Sequence, residues 1–265
     1  MAKPFLKWPG CKTKLVPHIV PLIQRTGRSY YFEPFLGSGA VFFALNHPGS
    51  SYLSDSNADV IGAFLGVKYS PVTVIGGLEA LADEYSTGSK DAYIKIRDTP
   101  GSDSFAAKAA RIVFLQRTCF NGLYRVNRAG KYNVPWGRRP FTFSPSDILE
   151  ASRALCGDTH LHTHGFEGAI DVAALEGDSV VYCDPPYLDM FDSYTKTAFD
   201  HVSLRRKLVE ADTAGVRFVL SYNDCEPIRE MYSQFVVDTV DVPSSISATK
   251  AGRGVRKELL IRNFQ

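Results

Sequence analysis

The stretch "SVVYCDPPYLDM", residues 179–190, joins a β-favouring run to an acid, two prolines and an aromatic. Val180, Val181, Tyr182 and Cys183 suit a buried strand, and Pro185 and Pro186 end it. A carboxylate fixed at such a corner can serve a flat exocyclic amine. That nitrogen is a poor nucleophile, because its lone pair is spread into the ring. Asp184 can accept a hydrogen bond from one N–H, and the carbonyl of Pro185 from the other. Both proline φ angles are fixed, so the acceptors need little reorganisation. Tyr187 can stack on the face of the base. The plainer alternative is an Asp-Pro-Pro turn beside a core tyrosine.

A second constellation is "EPFLGSG", followed by Asp55. A glycine turn between strand and helix lets backbone N–H groups approach a ligand closely. An acid at the end of the next strand, about 20 residues on, is placed to bind ribose hydroxyls. The turn is neither the six-residue dinucleotide fingerprint nor a phosphate loop ending in GK[ST]. It is not a nucleophile elbow, since Ser38 lacks a glycine two residues away on each side. A nucleoside site and a tight structural turn both remain open from these residues. His160, His162 and His164 alternate along an expected strand and so share one face. No Cys or carboxylate completes a usual zinc-ligand spacing with them, so a structural or surface role is expected and no metal.

Charge is polarised along the chain, although the net charge is only +2. Between Ser104 and Ser146 there is no acid, while Lys108, Arg111, Arg117, Arg125, Arg128, Lys131, Arg138 and Arg139 fall inside. Phe120, Tyr124, Tyr132 and Trp136 are interleaved with them. Such a segment suits a phosphate backbone and bases, or is simply a solvated basic surface.

The elements that must position these groups alternate. "YYF" at 30–32 reads as a strand, Gly37 and Gly39 as a turn, Ala40 to Leu45 as a helix, and residues 51–55 as a strand. Residues 58–118 read as mostly helical, clearest in "SFAAKAARIVFLQRT", and 119–146 as loops with a possible hairpin. Strands follow at "DTHLHTHGF", "DSVVYCD", "GVRFVLSYN", "QFVVDTV" and "RKELLIRN". The helix "DHVSLRRKLVEADTAG" has Asp200 as its cap and Gly215 as its stop. This rhythm predicts an α/β, doubly wound sheet, whose ligands bind beyond the carboxyl ends of the strands.

Composition narrows the class. Apolar content of 45% and charged content of 22% are ordinary for a globular protein. No apolar run is long enough to span a bilayer, and the first residues lack the apolar stretch of a secretory signal. The five cysteines are scattered, odd in number and without a C-x-x-C pair, which favours free thiols in a reducing cytosol. No membrane partner is expected.

Taken together and in order, the motifs resemble the Dam-type DNA adenine-N6 methyltransferases, over nearly the whole chain. "FLKWPGCK" resembles their N-terminal cofactor motif, "FEPFLGSGAVF" the methyl-donor loop and "LSDSN" the ribose-binding acid. "RTCFNGLYRVNRAGKYNVPWG" resembles the DNA-recognition segment of enzymes acting on GATC, "DPPY" the catalytic motif, and "SSISATKAGRGVRKELLI" the C-terminal basic segment. Gln116-Arg117 stands where members of that family carry Asn-Arg, and Ser244 where they carry a basic residue.

The resemblance implies a Rossmann-like catalytic domain from residues 1–56 and 146–265, with a target-recognition insertion at 57–145. It implies S-adenosyl-L-methionine as cofactor, held by Trp8, Lys12, Glu33, Phe35, Gly37, Ser38, Gly39, Asp55, Phe166 and Asp184. Asp184, Pro185, Pro186 and Tyr187 would be catalytic. Double-stranded DNA would meet Lys7, Arg117, Phe120, Asn121, Leu123, Arg125, Asn127, Asn133, Pro135, Lys250, Arg253 and Arg256. Arg125 is of the type that pairs with guanine, and Leu123 and Pro135 suit a thymine methyl. The implied activity is methylation of adenine N6 at GATC by base flipping, in a monomeric or weakly associating protein. Methylation of cytosine N4 or another nucleic-acid amine, and a silent DNA-binding relic, are the rival readings.

Overall fold

The computed structural model describes residues 2–99, 103–188, 199–243 and 255–265. The strands are β1 (Tyr30–Glu33), β2 (Ser50–Asp55), β3 (Thr159–Thr163), β4 (Ser179–Cys183), β5 (Arg217–Asn223), β6 (Val236–Pro243) and β7 (Val255–Arg262). The helices are α1 (Val16–Arg25), α2 (Ala40–Leu45), α3 (Ala58–Tyr69), α4 (Pro71–Glu84), α5 (Lys90–Asp98), α6 (Phe105–Thr118), α7 (Pro145–Leu155), α8 (Phe166–Glu176), α9 (His201–Thr213) and α10 (Glu226–Met231). The chain divides into two compact units that interleave along the sequence, one made of residues 12–36, 47–56 and 164–265, the other of 1–11, 37–46 and 57–163.

The first of these is a sheet unit. Its strands run in the order β2-β1-β4-β5-β7-β6. β1 is parallel to β2 and β4, and β4 is parallel to β5. β7 is antiparallel to both β5 and β6. β4 is buried along its whole length, as a continuous Val-Val-Tyr-Cys run between parallel neighbours must be. Phe32, Val181, Phe218, Leu220, Leu259 and Ile261 from the strands form one core with Ile170, Leu204, Leu208 and Ile228 from α8, α9 and α10. The order of successive strands reverses between β1 and β4, with β2 on one side of the pair and β5 on the other. That is the switch point at which open α/β sheets form a crevice, and Glu33 and Asp184 stand at its lip.

The second unit is helical. α6 packs on α3 and α4 and is buried on nearly every side, with Ala109, Val113, Phe114 and Leu115 inaccessible. Gly66 allows the close approach, because a Cβ there would lie 2.4 Å from the carbonyl oxygen of Phe105. Ser104 caps α6 by accepting from Ala107 N at 3.2 Å.

The alternation of strands and helices predicts the α/β architecture that is found, and Asp200 caps α9 by accepting from Ser203 N at 2.9 Å. Two elements differ from expectation. The strand expected through Phe166 stops at Thr163, and Phe166 opens α8, whose buried face is Phe166, Ala169, Ile170 and Ala173. α1 carries Pro17 and Pro21, which mask it in sequence; both are exposed, while Ile19, Leu22 and Ile23 turn inward. Residues 119–137 are loops, as expected, with a 3-10 turn at Phe120–Gly122 and two isolated antiparallel bridges, Cys119 with Trp136 and Val126 with Tyr132.

Those residues are nonetheless tied down. Tyr132 donates to the carbonyl of Leu123 at 2.7 Å, Tyr93 to Val134 at 2.8 Å, and Tyr85 to Arg139 at 3.0 Å. Trp136 Nε1 in turn donates to the Tyr85 hydroxyl at 2.7 Å. Buried phenols therefore take the place of a backbone ladder in this loop.

Candidate active site

In the sheet unit, β4 delivers Asp184 to the carboxyl edge of the sheet. Lys12 Nζ lies 2.7 Å from Asp184 Oδ1, and the Ser221 hydroxyl donates to the same oxygen at 3.1 Å. Burial pushes the Asp184 carboxyl above its usual range; Lys12, Ser221 and Arg256 pull it back. Pro185 is buried and Pro186 exposed. The carbonyl of Pro186 accepts from the Tyr222 hydroxyl at 3.4 Å.

Tyr187 is held on several sides. Its hydroxyl donates to Glu258 Oε2 at 2.5 Å, Lys12 Nζ stands 4.7 Å from the ring centroid, and the Tyr222 ring stacks at 5.7 Å. Burial, reinforced by Asp184 and Glu258, pushes the phenol far above its ordinary value. Burial also raises Glu258, against the pull of Tyr187, Arg256 and Lys12. Arg256 completes the chain, with Nη2 2.6 Å from Glu258 Oε1.

Glu33 ends β1 and is buried, accepting the Tyr31 hydroxyl at 2.6 Å. Phe35 follows it and packs on Phe166 and Phe199, each at 5.7 Å between ring centres. Phe166 and Phe199 also meet, at 5.4 Å. Asp55 ends β2, half-buried. The sheet edge thus carries three acids and an aromatic cluster, a set suited to a nucleoside with a charged tail.

The helical unit holds the continuation of the glycine turn. Gly37 has φ +48°, and a Cβ there would stand 2.8 Å from the Trp8 ring. Gly39 has φ +68° and would meet Phe64 at 3.1 Å, so neither position tolerates a side chain. Ser38 is buried and donates to Cys11 Sγ at 3.1 Å. Trp8 lies against Tyr124, with ring centres 5.0 Å apart. The space beside both glycines is taken by the Trp8 and Phe64 rings, and a glycine turn entering a helix is of the kind whose backbone N–H groups can approach a ligand.

The basic loop belongs to the same unit. Phe120 and Asn121 are exposed at its start, directly after α6, and Asn121 adopts φ +54°. Arg125 donates from Nε to Asn133 Oδ1 at 2.7 Å and from Nη2 to the Asn133 carbonyl at 3.1 Å. Asn127 accepts from Ala129 N at 2.9 Å and Lys131 N at 3.0 Å, closing the turn. Leu123 is half-buried and Pro135 exposed. Arg117 donates to the carbonyls of Thr142 and Phe5, at 3.2 and 3.3 Å, and so also acts as a staple. Lys7 is exposed, and its ammonium is lowered by partial burial and by Arg117 and Arg139. Lys250 and Arg253 lie outside the described residues.

His160 pairs with Asp158 at 2.9 Å, and His164 Nδ1 lies 3.0 Å from the carbonyl of Gly165. Among the described residues no group of three or more metal-ligating side chains occurs.

Ser221, Tyr222 and Glu258 were not legible as site residues. Ser221 and Tyr222 sit mid-strand in "VLSYN", and Glu258 is a lone acid before "LLI". The only signal was an acid opening a buried apolar run, where burial demands a partner.

The pattern of the family described as D12 class N6 adenine-specific DNA methyltransferase matches residues 8–246. The Type II methyltransferase M1.LlaDCHI of Lactococcus lactis subsp. cremoris is 33% identical over 279 residues, spanning 99% of this chain and 95% of that protein. M.MjaIII, a Type II methyltransferase of Methanocaldococcus jannaschii, is 33% identical over 297 residues, spanning 99% of each. The DNA adenine methylase of Haemophilus influenzae is 31% identical over 277 residues, spanning 97% of this chain and 92% of that protein.

Proposed function

The chain belongs to the D12 class N6 adenine-specific DNA methyltransferase family, and we propose that it acts at GATC on an adenine flipped out of the duplex. It is an adenine-specific DNA methyltransferase, and its family implies S-adenosyl-L-methionine as methyl donor. When bound, that cofactor supplies a sulfonium methyl: the amine nitrogen bonds to the carbon as the carbon–sulfur bond breaks, and nitrogen then sheds a proton to water.

The chain's own residues would do the rest. Asp184 accepts one amine hydrogen and the Pro185 carbonyl the other, so the nitrogen lone pair is directed outward. Tyr187 stacks on the base, and Pro186 keeps the turn rigid. No covalent enzyme intermediate is needed, and the amine reacts neutral. Holding the reactants in line supplies most of the rate.

In the sheet unit, Glu33, Phe35, Asp55 and Phe166 would hold the cofactor, with Asp55 on the ribose and Phe166 against the adenine. In the helical unit, Trp8, Gly37, Ser38 and Gly39 offer a close-packed backbone turn. Residues 57–145 would be the target-recognition domain. Phe120 and Asn121 would enter the duplex beside the flipped adenine. Leu123, Arg125 and Pro135 would read bases, and Lys7, Arg117, Asn127, Asn133, Lys250, Arg253 and Arg256 would contact DNA.

The observation that most supports this reading is Asp184 at the switch point, followed at once by two prolines and a clamped tyrosine. The test uses tritiated S-adenosylmethionine and two duplexes, one with a single GATC and one with GTTC in its place. Label recovered as N6-methyladenine only from the GATC duplex is the expected result. Label in both would overturn the site assignment, and label on cytosine N4 the target assignment.

A further inference from the structure

Tyr187 owes its orientation to a residue far along the chain. Glu258 stands on β7 opposite Asn223 of β5, wholly buried, immediately before Leu259, Leu260 and Ile261. Sheet packing alone does not call for an acid there, and a buried carboxylate is costly unless paired. This one has two partners: Tyr187, donating at 2.5 Å, and Arg256, at 2.6 Å.

A phenol that donates to a carboxylate is polarised toward phenolate, which makes its ring face more electron-rich. Such a face attracts cations. One is already present, since Lys12 Nζ lies 4.7 Å from the ring centroid. During methyl transfer, positive charge grows on the amine nitrogen that this ring is read as flanking.

We propose that Glu258 is a positioning residue for methyl transfer: anchored by Arg256, it fixes the Tyr187 ring through the hydroxyl and enriches the ring face for the developing ammonium. This rests on the reading that Asp184 and Tyr187 receive the target amine. Glu258 touches neither substrate nor cofactor, and acts only through Tyr187.

Single-turnover methyl transfer to the GATC duplex tests it, with wild type, Glu258→Gln, Tyr187→Phe, the double variant and Tyr187→Ala. Glu258→Gln keeps the shape and loses the charge. It should slow the chemical step about tenfold, the scale of a charge-assisted hydrogen bond, with cofactor and duplex dissociation constants unchanged. Tyr187→Phe should show the same loss, and adding Glu258→Gln to it should cost nothing more.

Four outcomes overturn the proposal. Glu258→Gln at the wild-type rate removes it. So does an equal further loss in the Tyr187→Phe background, which would mean a route other than the hydroxyl. So does a loss accompanied by a lower melting temperature and weaker binding, which is packing alone. If Tyr187→Ala keeps the full rate, the reading of Tyr187 fails and the proposal with it. If Tyr187→Ala is slow and Glu258→Gln is not, only the assignment of Glu258 falls.

Discussion

The ammonium of Lys12 lies 2.7 Å from Asp184 Oδ1 and 4.7 Å from the centroid of the Tyr187 ring. Lys12 therefore engages both groups assigned to the incoming amine, and does so with nitrogen chemistry of its own. Two consequences follow for the reaction, one electrostatic and one competitive. Lys12 opposes the upward pull of burial on the Asp184 carboxyl, and on the proposed reading it must yield or share that oxygen when the base arrives.

The electrostatic consequence is a pH shift. Burial raises the Asp184 carboxyl, and Lys12, Ser221 and Arg256 oppose that rise. Replacing Lys12 by Met removes the largest opposing influence, so the pKa climbs further. The carboxylate is the accepting form, and activity is lost as pH falls through its pKa. The acid limb of single-turnover methyl transfer at saturating cofactor should therefore move to higher pH in Lys12→Met. A limb at the wild-type position would show that Lys12 does not tune Asp184.

Asp184→Ala removes the amine acceptor while leaving the two prolines. Methyl transfer should fall by roughly a hundredfold or more, the scale for deleting one preorganised electrostatic partner. Cofactor affinity, measured by calorimetry, should change far less than the rate. Near-normal turnover would exclude the acceptor role.

Asp55→Ala should act on binding. The end of β2 is assigned to ribose hydroxyls, so the dissociation constant for S-adenosylmethionine should rise about tenfold or more, as expected for a lost hydrogen bond to a charged acceptor. The rate at saturating cofactor should hold. An unchanged dissociation constant would rule out the ribose contact.

Arg125 is oriented by Asn133 from both its side-chain and backbone oxygens. Arg125→Ala should lose about 1–3 kcal/mol of discrimination at one base pair. Binding measured on a panel of single-substitution duplexes decides it. A uniform loss on every duplex, with a shallower salt dependence, would make Arg125 a phosphate contact instead.

The basic loop can be loosened without touching the side chains proposed to face DNA. A Cβ at Gly137 would stand 2.2 Å from the carbonyl oxygen of Cys119. Gly137→Ala should lower stability by roughly 1–3 kcal/mol, the scale of overpacking, and weaken DNA binding while cofactor affinity holds. Thermal unfolding and duplex titration read the two effects; an unchanged melting temperature would mean the loop yields freely.

Much of the local structure at the carboxyl edge of the sheet was legible because its residue types are conspicuous there. Two prolines after a buried Val-Val-Tyr-Cys run announce a strand end, and Gly37 and Gly39 announce a backbone turn. What could not be read is whatever tertiary contact supplies. Glu258 looks like any acid near a chain end until the antiparallel pairing of β7 with β5 carries it to Tyr187. The loop at 119–137 has weak periodicity because its order comes from tyrosines on α5 and elsewhere, as with Tyr93 bound to Val134. α1 is hidden by prolines that lie on its exposed face and so interrupt the usual signal.

The order of strands has a bearing on how the protein comes into being. β1 pairs with β4 through Tyr30 and Ser179, and the Tyr187 hydroxyl waits for Glu258. Both closures join distant stretches of chain, so loop-closure entropy must be met before either forms. A ribosome making this protein from its N-terminus exposes β1 and β2 long before β4 exists to cover them. Glu258 is made after everything else that holds Tyr187, so a truncated chain lacking β7 would carry the DPPY motif without that support.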